Sequence, residues 1–225
     1  MTFSVAGFCE RTGMVGVSIT SSSICVASRC PWVRAGVGAA STQNITDPSL
    51  GYAMLDLIAK GSSPEQAIQM VTKDRKFIDY RQLTVINNKG QSSSFSGSKT
   101  LGTHSVAQGG GCIAAGNLLI STEIPQAIVD NFSKHSDLHL AERLLLALNA
   151  GLDAGGEEGP IHSAGLKVAH EHSWPLVDLR VDWAEEKPID KLIELWRNYE
   201  EQMMDYNTRA LDPRSAPSYG VAGDL

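Results

Sequence analysis

The residue best placed to do chemistry in this sequence is its second. Met1 is followed by Thr2, and methionine removal would leave a threonine whose own α-amine can serve as general base to its hydroxyl. An unperturbed α-amine titrates near about pH 8, so it can accept a proton at neutral pH. Gln43 and Asn44 stand at the end of a strand pattern and just ahead of a helix pattern, where their neutral amides suit contacts to an amide or peptide-like substrate. Other constellations point less far. His170-Glu171-His172 puts two imidazoles on one face of a strand without a third ligand at a recognised spacing. Gly109-Gly110-Gly111 lacks the Lys-Ser/Thr of a phosphate-binding loop and the dinucleotide fingerprint. Asp178, Arg180 and Asp182 share a strand face as an ion-pair ladder. Cys9, Cys25, Cys30 and Cys112 show no CxxC spacing and read as reduced structural thiols.

Composition narrows the classes. A net charge of −6 argues against a broad footprint for nucleic acid or anionic membrane. No apolar run approaches the roughly 20 residues of a membrane span, and the start lacks a signal-peptide pattern. A soluble, cytoplasmic protein with no metal and no cofactor is expected.

The elements that must position Thr2 follow from periodicity. Thr2–Phe8 and Met14–Thr20 read as a β-hairpin around Cys9–Gly13, and β-prone runs follow at Ile24–Ser28 and Ala35–Thr42. Asp47 as N-cap with Pro48 behind it opens a helix that runs to Gly61. Ser63-Pro64-Glu65-Gln66 is a capping-box pattern that opens a second. Arg81–Asn87 and Gln91–Gly97 form another hairpin, and a strand or loop resumes at Cys112–Gly116. Thr122 caps a helix carrying Ile124, Ile128, Val129 and Phe132, and a Leu-rich helix spans 138–150. Its leucines cover more than one face, which suits a helix covered on both sides or a subunit contact, hence a homodimer. Gly165–His170 and Leu176–Asp182 make a third hairpin, and Pro188 opens a last helix. Hairpins separated by paired helices predict an α/β (α+β) fold, a four-layer αββα sandwich of two mainly antiparallel sheets. Residues 1–206 form its single domain, and 207–225 an extended C-terminal tail.

Several segments, in order, carry a resemblance: TFSVAGF, GMVGVSITSSS, PWVRAGVGAASTQN, LIAKGSSPEQAI, RQLTVINNKGQSSSFSG, AAGNLL, LAERLLLALNAGLDAGGEEG, HSAGLKV and DLRVD. Together they resemble the bacterial family called domain of unknown function 1028, placed within the N-terminal-nucleophile (Ntn) hydrolase superfamily. The opening strand, turn and G-x-V-G-V strand also look like the start of proteasome β subunits, where threonine begins the first strand. That likeness implies Thr2 as nucleophile, with a basic residue close by to stabilise developing negative charge. Arg34 is the first candidate and Arg29 the second. Where proteasome-like enzymes carry an acidic residue after the second strand, Thr20, Ser21, Ser22 and Ser23 stand instead. Asn117, in a stretch similar to the family's Q-G-N, is a candidate oxyanion donor, with an ordinary turn as the alternative. Gly155–Ala164 corresponds to the family's G-G-D-x-R-G-x-Q-S-A without its Arg, and offers Glu157, Glu158, His162 and Ser163 as substrate contacts. The alternative there is a solvated acidic loop.

The leading expectation is a hydrolase of an amide or other non-peptide C–N bond in a small-molecule substrate. A non-catalytic ligand-binding or assembly protein on the same fold is the alternative. A metal-dependent hydrolase built on His162, His170 or His172 with Glu157 or Glu158 is a third reading.

Overall fold

The structure is a computed structural model that describes residues 1–218. Residues 219–225 of the expected tail lie outside the described residues. The strands are β1 (Thr2–Phe8), β2 (Val15–Ser21), β3 (Pro31–Arg34), β4 (Gly38–Asn44), β5 (Arg81–Asn87), β6 (Ser92–Ser96), β7 (Ser105–Gly109), β8 (Cys112–Asn117), β9 (Ser163–Ala169) and β10 (Val177–Val181). The helices are α1 (Ser49–Ala59), α2 (Pro64–Thr72), α3 (Ile124–Lys134), α4 (Leu140–Asp153) and α5 (Pro188–Leu211). The larger sheet runs β10-β9-β2-β1-β8-β7 and the smaller β3-β4-β5-β6, every neighbour antiparallel. Helices α3, α4 and α5 cover the outer face of the large sheet, and α1 and α2 that of the small one. The chain is therefore the expected αββα sandwich.

Alternation along β1 shows how the layers arise. Phe3 and Val5 turn toward the helices, whereas Ala6 joins Val15, Val17, Ile113, Ala39 and Ile86 between the sheets. Gly7 and Gly16 pair across β1 and β2 on the helix side. A Cβ on Gly16 would lie 2.7 Å from Leu144 Cδ1 and 2.8 Å from the Lys167 carbonyl, and one on Gly7 would lie 3.2 Å from Leu144 Cδ2. The two glycines form the hollow into which α4 lowers Leu144, which is fully buried.

Local expectations fared unevenly. The Ser63 capping box is present, with Gln66 N donating to Ser63 Oγ and Ser63 N to Gln66 Oε1. Asp47 accepts from Ser49 N at 3.1 Å, but the N-cap position falls on Pro48, one residue later than expected. The run 24–28 is a short 3-10 turn, Val26–Ser28, because Cys25 takes a left-handed φ of 55° and breaks the extended chain. The run 35–42 splits into the turn of the β3–β4 hairpin, 35–37, and most of β4, which begins at Gly38. Glu123, not Thr122, holds the N-cap position of α3, with no side-chain cap. Helix α5 continues to Leu211, past the expected start of an extended tail at 207. Strand β7 is an addition to the expected elements: its hairpin closes on Gly110 and Gly111, whose φ values of 56° and 79° favour glycine, so a Gly-rich stretch that reads as loop ends a strand. The leucines of α4 are absorbed by α3, α5 and the sheet, so their distribution does not call for a second subunit. No helix among the described residues is long and apolar enough to cross a membrane.

Leu144→Ala should cost about 3 kcal/mol of stability, as a buried leucine wedged in a rigid glycine hollow leaves a cavity that cannot collapse. Urea denaturation of the two proteins checks this.

Candidate active site

Hairpin register decides what surrounds Thr2. Thr2 pairs with Ser21 on β2 and with Asn117 on β8, and Ser21 pairs with Ser163 on β9. Strand alternation makes these four side chains a row on the face turned toward the small sheet. All four are buried, as are Ser4, Ser41, Gln43, Gln82 and Thr84. The space between the sheets thus changes from apolar at its centre to polar at the Thr2 end.

Buried polar groups must satisfy one another, and most here do. Ser4 Oγ donates to Gln43 Oε1 at 2.7 Å, and Gln43 Nε2 donates to Gln82 Oε1 at 2.8 Å. Gln82 Nε2 donates to the Gly116 carbonyl at 3.1 Å, which fixes the orientation of that amide, since a carbonyl can only accept. Gln82 Oε1 then receives Asn117 Nδ2 at 3.1 Å, leaving Asn117 Oδ1 buried without a partner. The free end of Asn117 is an acceptor. It suits an ammonium or N–H group, and the oxyanion role expected for Asn117 is not what this orientation favours.

A second chain of bonds reaches Thr2 from a cation. Arg29 Nη1 donates to the Ile24 and Cys25 carbonyls at 2.6 and 2.8 Å, and its Nη2 donates to Ser23 Oγ at 2.7 Å. Ser23 Oγ lies 2.8 Å from Ser21 Oγ, which donates to the Met1 carbonyl at 2.5 Å and lies 3.1 Å from Thr2 Oγ1. Thr2 Oγ1 also donates to the Met1 carbonyl at 2.5 Å. The guanidinium polarises this hydroxyl relay toward the acyl oxygen carried on Thr2.

Arg34 is elsewhere. It pairs with Gly38, at the end of β4 remote from Gln43, and binds Asp56 of α1 at 2.7 Å. Five residues of strand, roughly 17 Å, separate the two ends. Among the basic candidates, Arg29 and not Arg34 connects to Thr2, through the hydroxyls of Ser23 and Ser21.

Glu157 faces the same end. It is buried, its Oε2 accepts from Ser22 N at 3.3 Å, and its Oε1 has no partner. Burial pushes its carboxyl up to about 8, an effect that the nearby N-terminal amine and the Ser22 bonds partly offset. The solvated-loop alternative is therefore wrong for Glu157 but right for Glu158, which is exposed. Ser163 is a strut: its Oγ donates to the Ser23 carbonyl at 2.6 Å and accepts from Val26 N at 3.2 Å. His162 stacks on Trp183 with ring centroids 4.3 Å apart, its Nδ1 lies 3.0 Å from the Ala184 carbonyl, and its backbone N–H donates to Ser21 O. It braces the rim beside Ser21. Asn44 clamps a loop by donating to the Tyr80 carbonyl at 2.6 Å and accepting from Leu101 N at 3.2 Å. Its side chain is thereby used. His170 Nε2 lies 3.0 Å from the Thr12 carbonyl and His172 stacks on Trp174, both at the other end of β9. Among the described residues, no three His, Cys, Asp or Glu side chains converge as a metal site. Sequence reading passed over Ser4, Ser21, Ser23 and Gln82, which have no signature outside the strand register.

Fold and site together define an αββα sandwich whose first strand presents a threonine hydroxyl to a buried polar cluster between the sheets. The chain belongs to the family of unknown function DUF1028, which matches residues 2–192. A crystal structure of a DUF1028 protein from Silicibacter pomeroyi is similar at a TM-score of 0.84 and 29% identity, over 91% of this chain and 89% of that one. Anbu from Hyphomicrobium sp. strain MC1 aligns at a TM-score of 0.42 and 13% identity, over 97% of this chain and 100% of that one. Anbu from Yersinia bercovieri, an ancestral β-subunit, aligns at 0.38 and 10%, over 91% and 97%. No curated protein matches the chain in sequence.

The position of Glu157 predicts a pH effect. The folded state keeps a proton on Glu157 that the unfolded chain loses above about 4.5, so the contribution of this group falls as pH rises from there to about 8. Glu157→Gln should remove that loss, on the order of 4 kcal/mol across the window. Urea melts of both proteins at pH 5 and pH 8 should show the variant gaining on the wild type at the higher pH.

Proposed function

We propose that the protein is an N-terminal-nucleophile hydrolase of an amide or other non-peptide C–N bond in a small molecule, with Thr2 as nucleophile once Met1 is removed. The observation that carries this reading is the relay Arg29–Ser23–Ser21, which ends on the carbonyl oxygen of the acyl group attached to Thr2. A carbonyl bound to Thr2 Oγ1 during acyl transfer would lie near the same donors.

The steps follow from the groups present. Thr2 Oγ1 attacks the substrate carbonyl carbon as its proton passes to the Thr2 amine. The oxygen that gains charge receives the Ser21 hydroxyl, polarised by Arg29. The C–N bond breaks as the leaving nitrogen takes the proton from the Thr2 ammonium, and water hydrolyses the resulting ester. Asn117 Oδ1, the unpartnered acceptor opposite Thr2, supports the ammonium while it exists. Glu157, whose carboxyl burial pushes up, sets the polarity of the same end.

The non-catalytic alternative draws on one observation. Thr2 is only 6% exposed and its nitrogen is acylated by Met1, so in the unprocessed chain the site is closed. Intact-mass measurement on protein from its native host separates the two readings: uniform loss of Met1 supports catalysis, and uniform retention opposes it. On processed protein with an identified substrate, Thr2→Ala should abolish turnover while leaving the thermal melt within about 1 kcal/mol of wild type. Arg29→Met should lower kcat by roughly 10- to 1000-fold with a smaller change in KM. Wild-type turnover by Thr2→Ala would eliminate the proposed nucleophile.

A further inference from the structure

A large cavity lies at the opposite end of the sandwich, beyond the far end of β1. Phe8 is six residues from Thr2 along an extended strand, about 20 Å away. The turns after β1, β5 and β7 and the start of α4 enclose a volume of about 970 Å³. Its wall carries Arg11, Lys89 and Arg143 against the single carboxylate of Glu10. In a chain of net charge −6, that local excess of cations runs against the overall balance.

Arg143 is the unusual member. It is 5% exposed, and its guanidinium lies 3.7 Å from the centre of the Phe132 ring. Nε donates to the Phe132 carbonyl at 2.8 Å, and Nη2 reaches the Gly110 carbonyl only at 3.5 Å. Capping the last turn of α3 accounts for Nε. It leaves Nη1 donating to nothing among the described residues, and the charge faces the Phe132 ring, neutral carbonyls and the Cys9 and Cys112 thiols, with no carboxylate paired to it. Arg143, Arg11 and Lys89 form no ion pair among the described residues. Arg11 spends its Nη2 on the Asp137 and Leu138 carbonyls at 2.8 and 3.2 Å, and the Lys89 ammonium has no partner there. A buried cation without a counter-charge is costly, and an anion entering from the open side of the cavity would offset that cost.

We infer that this cavity is a second binding site, which takes a small molecule bearing a phosphate or carboxylate. Arg143 Nη1 and Lys89 Nζ hold the oxyanion, and the rest of the ligand lies against the Phe8 ring. The volume far exceeds one phosphate, so the anionic group is the anchor of a larger molecule. This site is independent of the chemistry proposed for Thr2.

The test uses the full chain, titrated with inorganic phosphate and, separately, with succinate at fixed ionic strength, with the melting temperature followed as each anion rises. Saturable stabilisation by either anion is expected, and the tighter of the two identifies the anchor group. Lys89→Ala, at an exposed position, should weaken that binding roughly tenfold. Glu10→Gln should tighten it by removing the one like charge, and Thr2→Ala should leave it unchanged. Absence of saturation by both anions, or an affinity unaltered in Lys89→Ala, overturns the proposal.

Discussion

Polar side chains enclosed between two sheets have only one another to bond with, and the fold at the Thr2 end is shaped by that requirement. Ser4, Gln43, Gln82 and Asn117 form one line of amides and hydroxyls that ties the large sheet to the small one. Because the Gly116 carbonyl admits only a donor, the orientation of every amide in the line is determined from that end. Three atoms of this region remain over, Thr84 Oγ1, Asn117 Oδ1 and Glu157 Oε1. In an interior where nearly everything else is paired, the unpaired acceptor of Asn117 beside Thr2 marks where a proton-bearing group would be accommodated.

The same sandwich is apolar midway along its strands, where Ala6, Val17, Ala39, Ile86 and Ile113 meet. That band secures the register, since a slip by one residue would turn the whole polar row toward the helices. On the outer side, Leu144 seated over Gly7 and Gly16 locks the same two strands. Packing in the middle therefore sets the hydrogen bonding at the end, and the two cannot vary independently.

Much of this was legible in the sequence, and the failures have physical reasons. Strand and helix order followed from periodicity, and Ser63 announced its cap because a capping box is a local device. Thr2 opposite Ser21 follows from counting outward from the β1–β2 turn, so this pair was readable once a register was assumed. Arg34 lies away from Thr2 because proximity in space is a tertiary property: the β3–β4 hairpin carries it to the far end, while the turn at Cys25 brings Arg29 near. Asn117 does lie beside Thr2, but which end of its amide is free depends on Gln82, in the other sheet. No sequence pattern encodes that. Glu157 differs from its neighbour Glu158 only through burial, which the acidic pair conceals.

The carbonyl of Met1, gripped by both Thr2 and Ser21, has a practical meaning for anyone who produces this protein. Whatever is fused ahead of Thr2 becomes a permanent acyl cap on its nitrogen and sits over the polar end of the sandwich. An affinity tag or cloning scar at that terminus would leave the Thr2 nitrogen acylated however well the preparation folded. A handle that leaves the Thr2 nitrogen free has to be attached elsewhere.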